Sequence, residues 1–412
     1  MTISVSSRSP LVLATILLAA SCAEATDSDG AGGLLEGDVA VTKAAGTMAS
    51  YPCNGSTTGY DAVAIKSGST WTVKHGTTTV YTGTDMPSAM NAAINSLTAG
   101  RTSKQSVLIQ GSGDYPANIR YTIPSYTVLN VCGTINVTGS GSGDYAPIYA
   151  RDRSNIEVPN LKITGTPAYG ILFKNVPQVK LGSIDVRLSG VGLGVRIDNS
   201  AGSSLINDFT IDSVYGSGTG DNLVETYGLN NVTINSVTGD SIGNCGLLLN
   251  MTTNAHVGTV TCNNCGTGTG YAAFRIANSA GKIGSSWPAG NIHVNKVYAR
   301  GGGRGVFSVS GSGGLTIDTV DIANTGSESI LLQNAYNITI AAVSGTVSGK
   351  QIRLSNDTTN TNSGLYAKSH DVTFNHLSLS SGSSILEDWC DSTNRNNHAW
   401  NISGGSVSMC HN

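Results

Sequence analysis

The amino-acid sequence predicts an all-β solenoid, in which parallel strands stack coil upon coil behind an N-terminal capping helix. Two strand patterns alternate along the chain with a period of roughly 20 to 30 residues, which is typical of stacked repeats. The chain contains 52 Gly but only 5 Phe, and 12% of its residues are charged. Its core must therefore form from Ile, Leu, Val and Ala on narrow strands, with Gly at the turns.

The two strand patterns recur at corresponding places in successive coils. The first reads apolar-x-apolar-x-x-apolar and begins at Val179, Val232, Ile292, Leu315 and Ile338. The second is a shorter apolar strand that closes on Asn175, Asn199, Asn250, Asn278, Asn334 and Asn356. No unit of this size can bury its apolar face alone, so the units must stack.

A hairpin and a short helix are predicted before the first coil. The hairpin begins at Trp71 and turns near His75. Asp85 can cap the helix, Ile94 lies on its apolar face and Gly100 ends it. A solenoid exposes an open apolar end, and such a helix is a natural cover for it.

The first residues read as an export signal. Arg8 precedes an apolar run over residues 11–20, which is too short for a comfortable transmembrane span. Two processing sites stay open, because residues 19–22 resemble a bacterial lipobox that would lipidate Cys22, whereas residues 23–25 fit an A-x-A cleavage site. The lipoprotein is favoured, since the Asp- and Gly-rich stretch after Cys22 suits a surface tether. We expect a protein outside the cell or on its surface, with membrane contact only through a lipid on Cys22.

These features divide the chain into segments of different character. We expect an export signal over 1–22, a flexible tether over 23–50, the hairpin and capping helix over 51–106, the coils over 107–390 and a C-terminal cap over 391–412.

Apart from Cys22, the chain carries an odd number of cysteines. In an oxidising compartment one thiol should therefore stay free or pair between chains. Asn-Cys-Gly occurs around Cys245 and again around Cys265, which would stack these two cysteines on neighbouring coils. A metal at the C-x-x-C of Cys262 and Cys265 is disfavoured, because the second thiolate pair of a zinc site is missing. We predict disulfide bonds between Cys245 and Cys265, Cys53 and Cys132, and Cys390 and Cys410.

The capping helix, the stacked coils and the asparagine ladder together resemble the pectin-lyase-like superfamily over residues 86–412. The resemblance implies a single right-handed parallel β-helix. Members of that superfamily include polysaccharide lyases, polygalacturonase-like hydrolases, esterases, phage tailspikes and adhesins. The polygalacturonase motifs and the pectate-lyase Trp-Ile-Asp-His run are absent from this sequence, so no catalytic residue is carried over from the resemblance.

Side-chain alternation sorts the second strands into faces, because successive residues of a strand point to opposite sides. When these strands are aligned on their terminal Asn, one column is uniformly apolar and must face the core. The flanking columns face outward, with adjacent rungs about 4.7 to 4.9 Å apart. They bring together the candidate catalytic residues Arg196, Asp198, Glu225 and Tyr227, with Arg275 two rungs beyond Glu225. The same alignment places Leu247 and Leu249 in the outward columns.

This outward cluster suits two reactions. In a lyase, Arg196 or Arg275 would neutralise a uronate carboxylate and lower the pKa of the C5 proton, while Tyr227 would serve in the proton transfer. In a glycoside hydrolase, Asp198 and Glu225 would flank the glycosidic bond. The structural alternative is an exposed face stabilised by cross-strand ion pairs. We favour an exported enzyme that cleaves an acidic polysaccharide by β-elimination, and keep the hydrolase and a noncatalytic glycan-binding or adhesin-like protein as alternatives.

Further residues near these strands are candidates for substrate binding. They are Tyr169, Asp221, Tyr271, Arg300 and Arg304. His256 and His293 share an outward column of the first strands, which we interpret as a polar ladder rather than a metal or proton-transfer site.

The composition also bears on partners and cofactors. A net charge of -3 without a long basic run excludes the Lys and Arg clustering that nucleic-acid phosphates require. Nothing in the sequence indicates a cofactor, and a calcium requirement stays open. We expect a monomer whose partner is a polysaccharide.

Overall fold

The structure is a computed structural model, and it describes residues 51–267, 271–356, 366–380, 382–388 and 398–409. The predicted export signal, Cys22, the tether over 23–50 and the pair of Cys390 with Cys410 lie outside the described residues. No helix within the described residues is long and apolar enough to cross a membrane.

The N-terminal segment is an antiparallel meander with one helix. Its elements are β1 (Ala62–Ser67), β2 (Thr70–His75), β3 (Thr78–Gly83) and α1 (Met86–Asn95). The Asp85 side chain accepts a hydrogen bond from the Ser88 backbone N–H at 2.8 Å, so the predicted N-cap is present. The helix ends at Asn95 with Ser96 as its C-cap, so the prediction that Gly100 ends it is wrong. Met90 and Ile94 are buried against the end of the core, as a cap requires.

Parallel strands form the rest of the described chain. They are β4 (Gln105–Gln110), β5 (Gly113–Pro116), β6 (Thr127–Cys132), β7 (Thr134–Thr138), β8 (Ile148–Arg151), β9 (Ile156–Gly165), β10 (Tyr169–Lys174), β11 (Val179–Leu188), β12 (Leu193–Asp198), β13 (Ile206–Ser217), β14 (Val224–Tyr227), β15 (Leu229–Ile242), β16 (Leu247–Asn250), β17 (Thr253–Cys265), β18 (Ala272–Ala277), β19 (Ile292–Arg300), β20 (Arg304–Ser308), β21 (Ser312–Ala323), β22 (Ile330–Gln333), β23 (Ala335–Ser348), β24 (Ile352–Ser355), β25 (His370–Leu379), β26 (Ser384–Glu387), β27 (Ala399–Ser403) and β28 (Ser406–Ser408).

These strands lie in two sheets, and the predicted right-handed parallel β-helix with its capping helix is confirmed. The even-numbered strands from β8 to β28 form one sheet in strict order, here called the short sheet. The remaining strands form the other, here called the long sheet, in which β9 and the odd-numbered strands after it pair rung on rung. From β8 onward, each coil therefore contributes one strand to each sheet.

The apolar-x-apolar-x-x-apolar pattern reflects a bend within each strand of the long sheet. Within the pattern, pairing between coils lapses at the column that contains Asp212, Asn235 and Gly258. Because the chain bends there, the apolar residues on both sides of the corner turn inward. In β15, for example, Val232 and Val237 on either side of Asn235 are both buried in the core.

The asparagine ladder ends the strands of the short sheet in the left-handed backbone region. Asn175, Asn278 and Asn334 have φ of 53°, 55° and 49°, a conformation that Asn tolerates better than most residues. Asn250 does not occupy this column, because it pairs with Tyr227, and Met251 with φ of 44° takes the ladder position.

The alignment on Asn250 is therefore wrong by one residue. Leu247 pairs with Val224 and Leu249 with Thr226, so both face the core, and Leu248 is the outward residue opposite Glu225.

Two disulfide bonds lie in the described residues, and one matches the prediction. Cys53 is joined to Cys132 with a Cα–Cα distance of 5.2 Å. Cys262 is joined to Cys265, and Cys245 is a buried free thiol, so the predicted pair of Cys245 with Cys265 is wrong. The two Asn-Cys-Gly copies lie in different sheets: Cys265 pairs in register with Ile242 of the long sheet, whereas Cys245 precedes β16 of the short sheet.

Candidate functional site

The predicted cluster lies on the outward face of the short sheet. Arg196 of β12 pairs in register with Glu225 of β14, and Asp198 pairs with Tyr227. Alternation along both strands sends these four side chains to the same side, because the intervening residues Ile197 and Thr226 point the other way.

Arg196 is the centre of the cluster and is held by two carboxylates. Its Nε and Nη2 each lie 3.2 Å from Asp198 Oδ2, and its Nη1 lies 3.3 Å from Glu225 Oε2. A guanidinium has five N–H donors, so two of them have no partner among the described residues. The Arg196 side chain is 23% exposed, against 8% for Asp198 and 6% for Glu225. The cation therefore lies outermost, supported from beneath by two buried carboxylates.

Glu225 is held by amide groups as well as by Arg196. Asn222 Nδ2 donates to Glu225 Oε2 at 3.2 Å, and Asn250 Nδ2 donates to Oε1 at 3.0 Å. Asn278 Nδ2 donates in turn to Asn250 Oδ1 at 3.1 Å, which fixes the orientation of the Asn250 amide. Sequence reasoning missed Asn222 and Asn250. Asn250 was missed because the register slip assigned it to the ladder rather than to the outward column.

The pKa values of the two carboxyl groups in the cluster are shifted in opposite directions. Burial raises the pKa of Glu225, and the nearby charge of Asp221 raises it further, against the opposing effect of Arg196. Burial also acts to raise the pKa of Asp198, but Arg196 and hydrogen bonding to Ser200 outweigh it and hold that pKa below its usual range. The Ser200 backbone N–H donates to Asp198 Oδ1 at 2.8 Å. Asp198 is thus the ionised partner of Arg196.

Two tyrosines border the cluster. Burial raises the pKa of Tyr227, and the charge of Asp198 raises it further, so Tyr227 keeps its phenolic proton at neutral pH. Burial raises the pKa of Tyr169 while the charge of Arg196 acts to lower it, which places Tyr169 within electrostatic reach of the cluster. Tyr169 packs on a small apolar group of Ala146, Tyr149 and Leu172 on the same face.

Asp221 supports the cluster from the turn before β14. Its Oδ1 accepts hydrogen bonds from the Asn222 backbone N–H at 2.7 Å and from Asn244 Nδ2 at 2.6 Å. Asp221 therefore shapes the turn that presents Asn222 to Glu225, and its charge acts on Glu225 through space.

Arg275 lies on the same face but three rungs from Arg196, beyond Leu248. Its guanidinium lies over the rings of Tyr271 at 4.6 Å and Phe307 at 4.9 Å. Its Nε is buried and has no hydrogen-bond partner in the described part of the chain. Arg275 thus forms a separate cationic position that shares the face with the cluster without contacting it.

The remaining candidates for substrate binding divide between the two sheets. Arg304 of β20 lies over Phe307 at 5.0 Å and pairs with Glu328 at 2.8 Å, so it belongs to the short-sheet face near Arg275. Arg300 ends β19 of the long sheet and pairs with Asp321 at 2.8 Å. Arg300 and Arg304 are therefore close in sequence but lie on different faces of the solenoid.

His256 and His293 are stacked in register on the long sheet, as predicted. Their ring centroids lie 5.4 Å apart, and His293 Nε2 lies 3.0 Å from Asp318 Oδ2. Within the described ranges, no group of three or more His, Cys, Asp or Glu is placed to hold a metal ion.

Comparison with known proteins shows that the chain is similar in fold to a solved structure. No family model matches the sequence, and no curated protein matches it. Among solved structures, the A-module of the Azotobacter vinelandii mannuronan C-5 epimerase AlgE4 is similar with a TM-score of 0.55 and 13% identity, over 78% of this chain and 91% of that chain. The A-module of the AlgE6 epimerase from the same organism matches with a TM-score of 0.35 and 13% identity, over 78% and 93% of the two chains. The first likeness agrees with the parallel β-helix fold predicted from the sequence.

Proposed function

We propose that the protein is a carbohydrate-active enzyme that cleaves a uronic-acid-containing polysaccharide by β-elimination along the outward face of the short sheet. The observation that carries this proposal is the setting of Arg196. Two buried carboxylates fix its guanidinium from one side, and two N–H groups are left without a described partner. A planar cation with paired N–H donors matches the geometry of a carboxylate.

The neighbouring side chains supply the groups that β-elimination requires. Arg196 binds the uronate carboxylate and withdraws charge from it, which acidifies the C5 proton. Glu225, in its ionised form, accepts that proton, because a carboxylate with a raised pKa is a stronger base. Tyr227 retains its proton and donates it to the leaving oxygen as the C4–O bond breaks and the C4–C5 double bond forms. Arg275 holds the carboxylate of a more distant sugar.

The likeness to the AlgE4 A-module supports the substrate class. That protein is named for mannuronan, a uronate polymer, and for reaction at C-5. Epimerisation at C5 and β-elimination both begin with removal of the C5 proton from a uronate. We also propose that the protein acts outside the cell or on its surface, and the sequence pattern of residues 1–22, which predicts an export signal, supports this.

A glycoside hydrolase is the second candidate, favoured by one specific observation. The pKa values of Asp198 and Glu225 are shifted in opposite directions on neighbouring rungs. A pair of carboxyl groups separated in this way is the arrangement that assigns one as general acid and the other as ionised partner. Glu225 would then protonate the leaving oxygen, with Asp198 ionised.

One assay separates these functions. Purified protein is incubated with pectic polysaccharide, glucuronan, alginate and a neutral glucan, and the absorbance of unsaturated uronate is read together with reducing ends. Both signals should rise together on at least one uronate polymer. Reducing ends without absorbance would identify the hydrolase, and neither signal on any polymer would overturn both enzymatic proposals.

Matched variants locate the reaction. Glu225→Gln keeps the shape of the side chain and should lower turnover by about 100-fold or more, the range for loss of a general base. Glu157→Gln is the control. Like Glu225, Glu157 is a buried carboxylate in an ion pair, with Lys104 and Lys180 as its partners, but it lies on the long sheet. Loss of turnover in both variants to the same extent would mean that the effect is structural and not chemical.

A further inference from the structure

A second candidate binding site lies on the long sheet, away from the Arg196 cluster. Strands β11, β13 and β15 line a shallow, open groove of about 260 Å³ there. Three serines, Ser183, Ser213 and Ser236, occupy one column across its floor, and Asp185 and Tyr215 occupy the next outward column. The groove therefore combines a row of hydroxyl groups with an aromatic wall. This combination suits sugars, which present hydroxyl groups at their edges and apolar faces.

At the edge of this groove, Arg187 presents a guanidinium whose terminal N–H groups are open to solvent. Its Nε donates to Asp185 Oδ1 at 2.8 Å and Oδ2 at 3.2 Å, and its guanidinium lies over the Tyr215 ring at 4.8 Å. The ion pair uses Nε alone, so Nη1 and Nη2 have no acceptor among the described residues. The Arg187 side chain is 51% exposed. Its terminal N–H groups are thus held in place and open to solvent.

Arg300 provides an internal comparison for this geometry. Arg187 and Arg300 occupy the same column of the long sheet, and the guanidinium of each lies over a tyrosine ring. Arg187 lies over Tyr215 of the neighbouring strand β13, whereas Arg300 lies over Tyr298 of its own strand. In Arg300, however, Nη1 donates to the Asp321 carbonyl at 2.9 Å and Nη2 to Asp321 Oδ1 at 2.8 Å. At the same column, therefore, Nη1 and Nη2 have acceptors in Arg300 and none among the described residues in Arg187.

The charge at the groove favours an anion. Lys162 Nζ lies 3.8 Å from Asp185 Oδ2, so two cations, Lys162 and Arg187, meet the single carboxylate of Asp185. A volume of about 260 Å³ is slightly below the roughly 300 to 1,000 Å³ of pockets that enclose drug-sized ligands. It suits one or two sugar units of a chain whose remainder runs over the sheet.

We propose that this groove is a noncatalytic subsite for a carboxylate-bearing saccharide, with the carboxylate on Arg187 Nη1 and Nη2 and the sugar hydroxyls on the serine row. The proposal takes the acidic polysaccharide from the proposed function but not the cleavage. A chain held here would raise the local concentration of substrate at the short sheet without being cleaved in the groove.

Calorimetric titration tests the subsite. The probes are hexasaccharides of galacturonate, mannuronate and guluronate, with cellohexaose as the neutral counterpart, and all proteins carry Glu225→Gln so that the probe is not consumed. Arg187→Ala should weaken one binding component by about tenfold or more, as expected for lost charge-assisted hydrogen bonds. Ser213→Trp, which fills the groove, should remove the same component. Arg300→Ala should change it less than about twofold, because its terminal N–H groups are already occupied.

The outcomes separate this proposal from the proposed function. Uronate binding that is unchanged in both Arg187→Ala and Ser213→Trp, equal binding of cellohexaose, or no binding component at all would overturn the subsite. Turnover by the unmodified protein is measured independently. Turnover with unaltered binding in the groove variants would leave the function standing without the subsite. Binding that depends on Arg187, in a protein without turnover on any polymer, would leave the subsite standing without the function.

Discussion

At the scale of single residues, the Arg196 cluster has one cation for two carboxylates. Asp198 takes the role of ionised partner because it also accepts a backbone N–H from Ser200. Glu225 is deeply buried beside the charge of Asp221, and its pKa rises in consequence. The division of labour between the two carboxyl groups is therefore set by their surroundings and not by residue type.

The pH dependence of activity distinguishes the two candidate reactions through Glu225. As a general base, Glu225 must be deprotonated, so turnover rises as pH rises through its raised pKa. As a general acid, it must be protonated, so turnover falls over the same range. Asp221→Asn removes a negative charge that raises the pKa of Glu225. In a plot of kcat/KM against pH, the limb that reports the titration of Glu225 should therefore move to lower pH in that variant.

If β-elimination is correct, the limb that moves in Asp221→Asn is the rising one. A limb that stays in place would mean that a group other than Glu225 controls it.

Asn250 provides the opposite perturbation. Its Nδ2 donates to Glu225 Oε1 at 3.0 Å, and a donor to the carboxylate stabilises the charged form. Asn250→Ala should therefore raise the pKa of Glu225 and move the limb to higher pH in the same measurement. Asn230→Ala is the control, because Asn230 donates to Asn207 at 2.7 Å within the long sheet. A shift of equal size in both variants would remove Asn250 from the site.

At the scale of strands, much of the candidate site could be predicted because the inward column is so uniform. Val195 and Val224 are apolar and flank the outward Arg196 and Glu225, so alternation determined their face. The same logic failed at β16, where Leu247, Leu248 and Leu249 are all apolar. Alternation cannot decide between adjacent registers in such a run, and the Asn at its end was ambiguous.

The disulfide error has a different physical origin. Asn-Cys-Gly marks a turn, and turns occur at the corners of both sheets. A repeated tripeptide therefore does not place two cysteines in one column. The pairing of Cys262 with Cys265 depends on a local bend at the end of β17, where Asn264 has φ of 54°, and the spacing C-x-x-C alone does not predict that bend.

At some glycines, neighbouring coils approach so closely that there is no space for a larger side chain. A Cβ added at Gly313 would lie 1.8 Å from the carbonyl oxygen of Tyr336 on the next coil. Gly313→Ala should therefore force the two strands apart and destabilise the protein by about 1 to 3 kcal/mol, the usual cost of overpacking. The measurement is the thermal midpoint by circular dichroism. Gly326→Ala is the control, because the nearest atom to its added Cβ is 3.1 Å away, and a comparable loss there would contradict the argument.

At the scale of the whole molecule, each coil of the helix contacts only its neighbours, so stability is distributed along the axis. The N-terminal meander and α1 cover one end of the described core, and Trp71 and Met86 are buried there. The bond between Cys53 and Cys132 ties the segment before β1 to the end of β6, across a sequence separation of 79. The cap is therefore attached covalently to the first coils.

Removal of this disulfide should loosen the cap and leave the distant coils intact. In the chain-entropy model a loop of this length contributes on the order of 4 kcal/mol, and in a stacked repeat the loss acts on the nearest units. In Cys53→Ser with Cys132→Ser, amide hydrogens of β1 to β3 and α1 should exchange faster by mass spectrometry, while those of β21 and β23 keep their rates. Cys262→Ser with Cys265→Ser, which opens a bond between residues only three apart, should not change exchange in the cap. A uniform increase along all coils in the first variant would mean that the disulfide stabilises the helix as one cooperative unit.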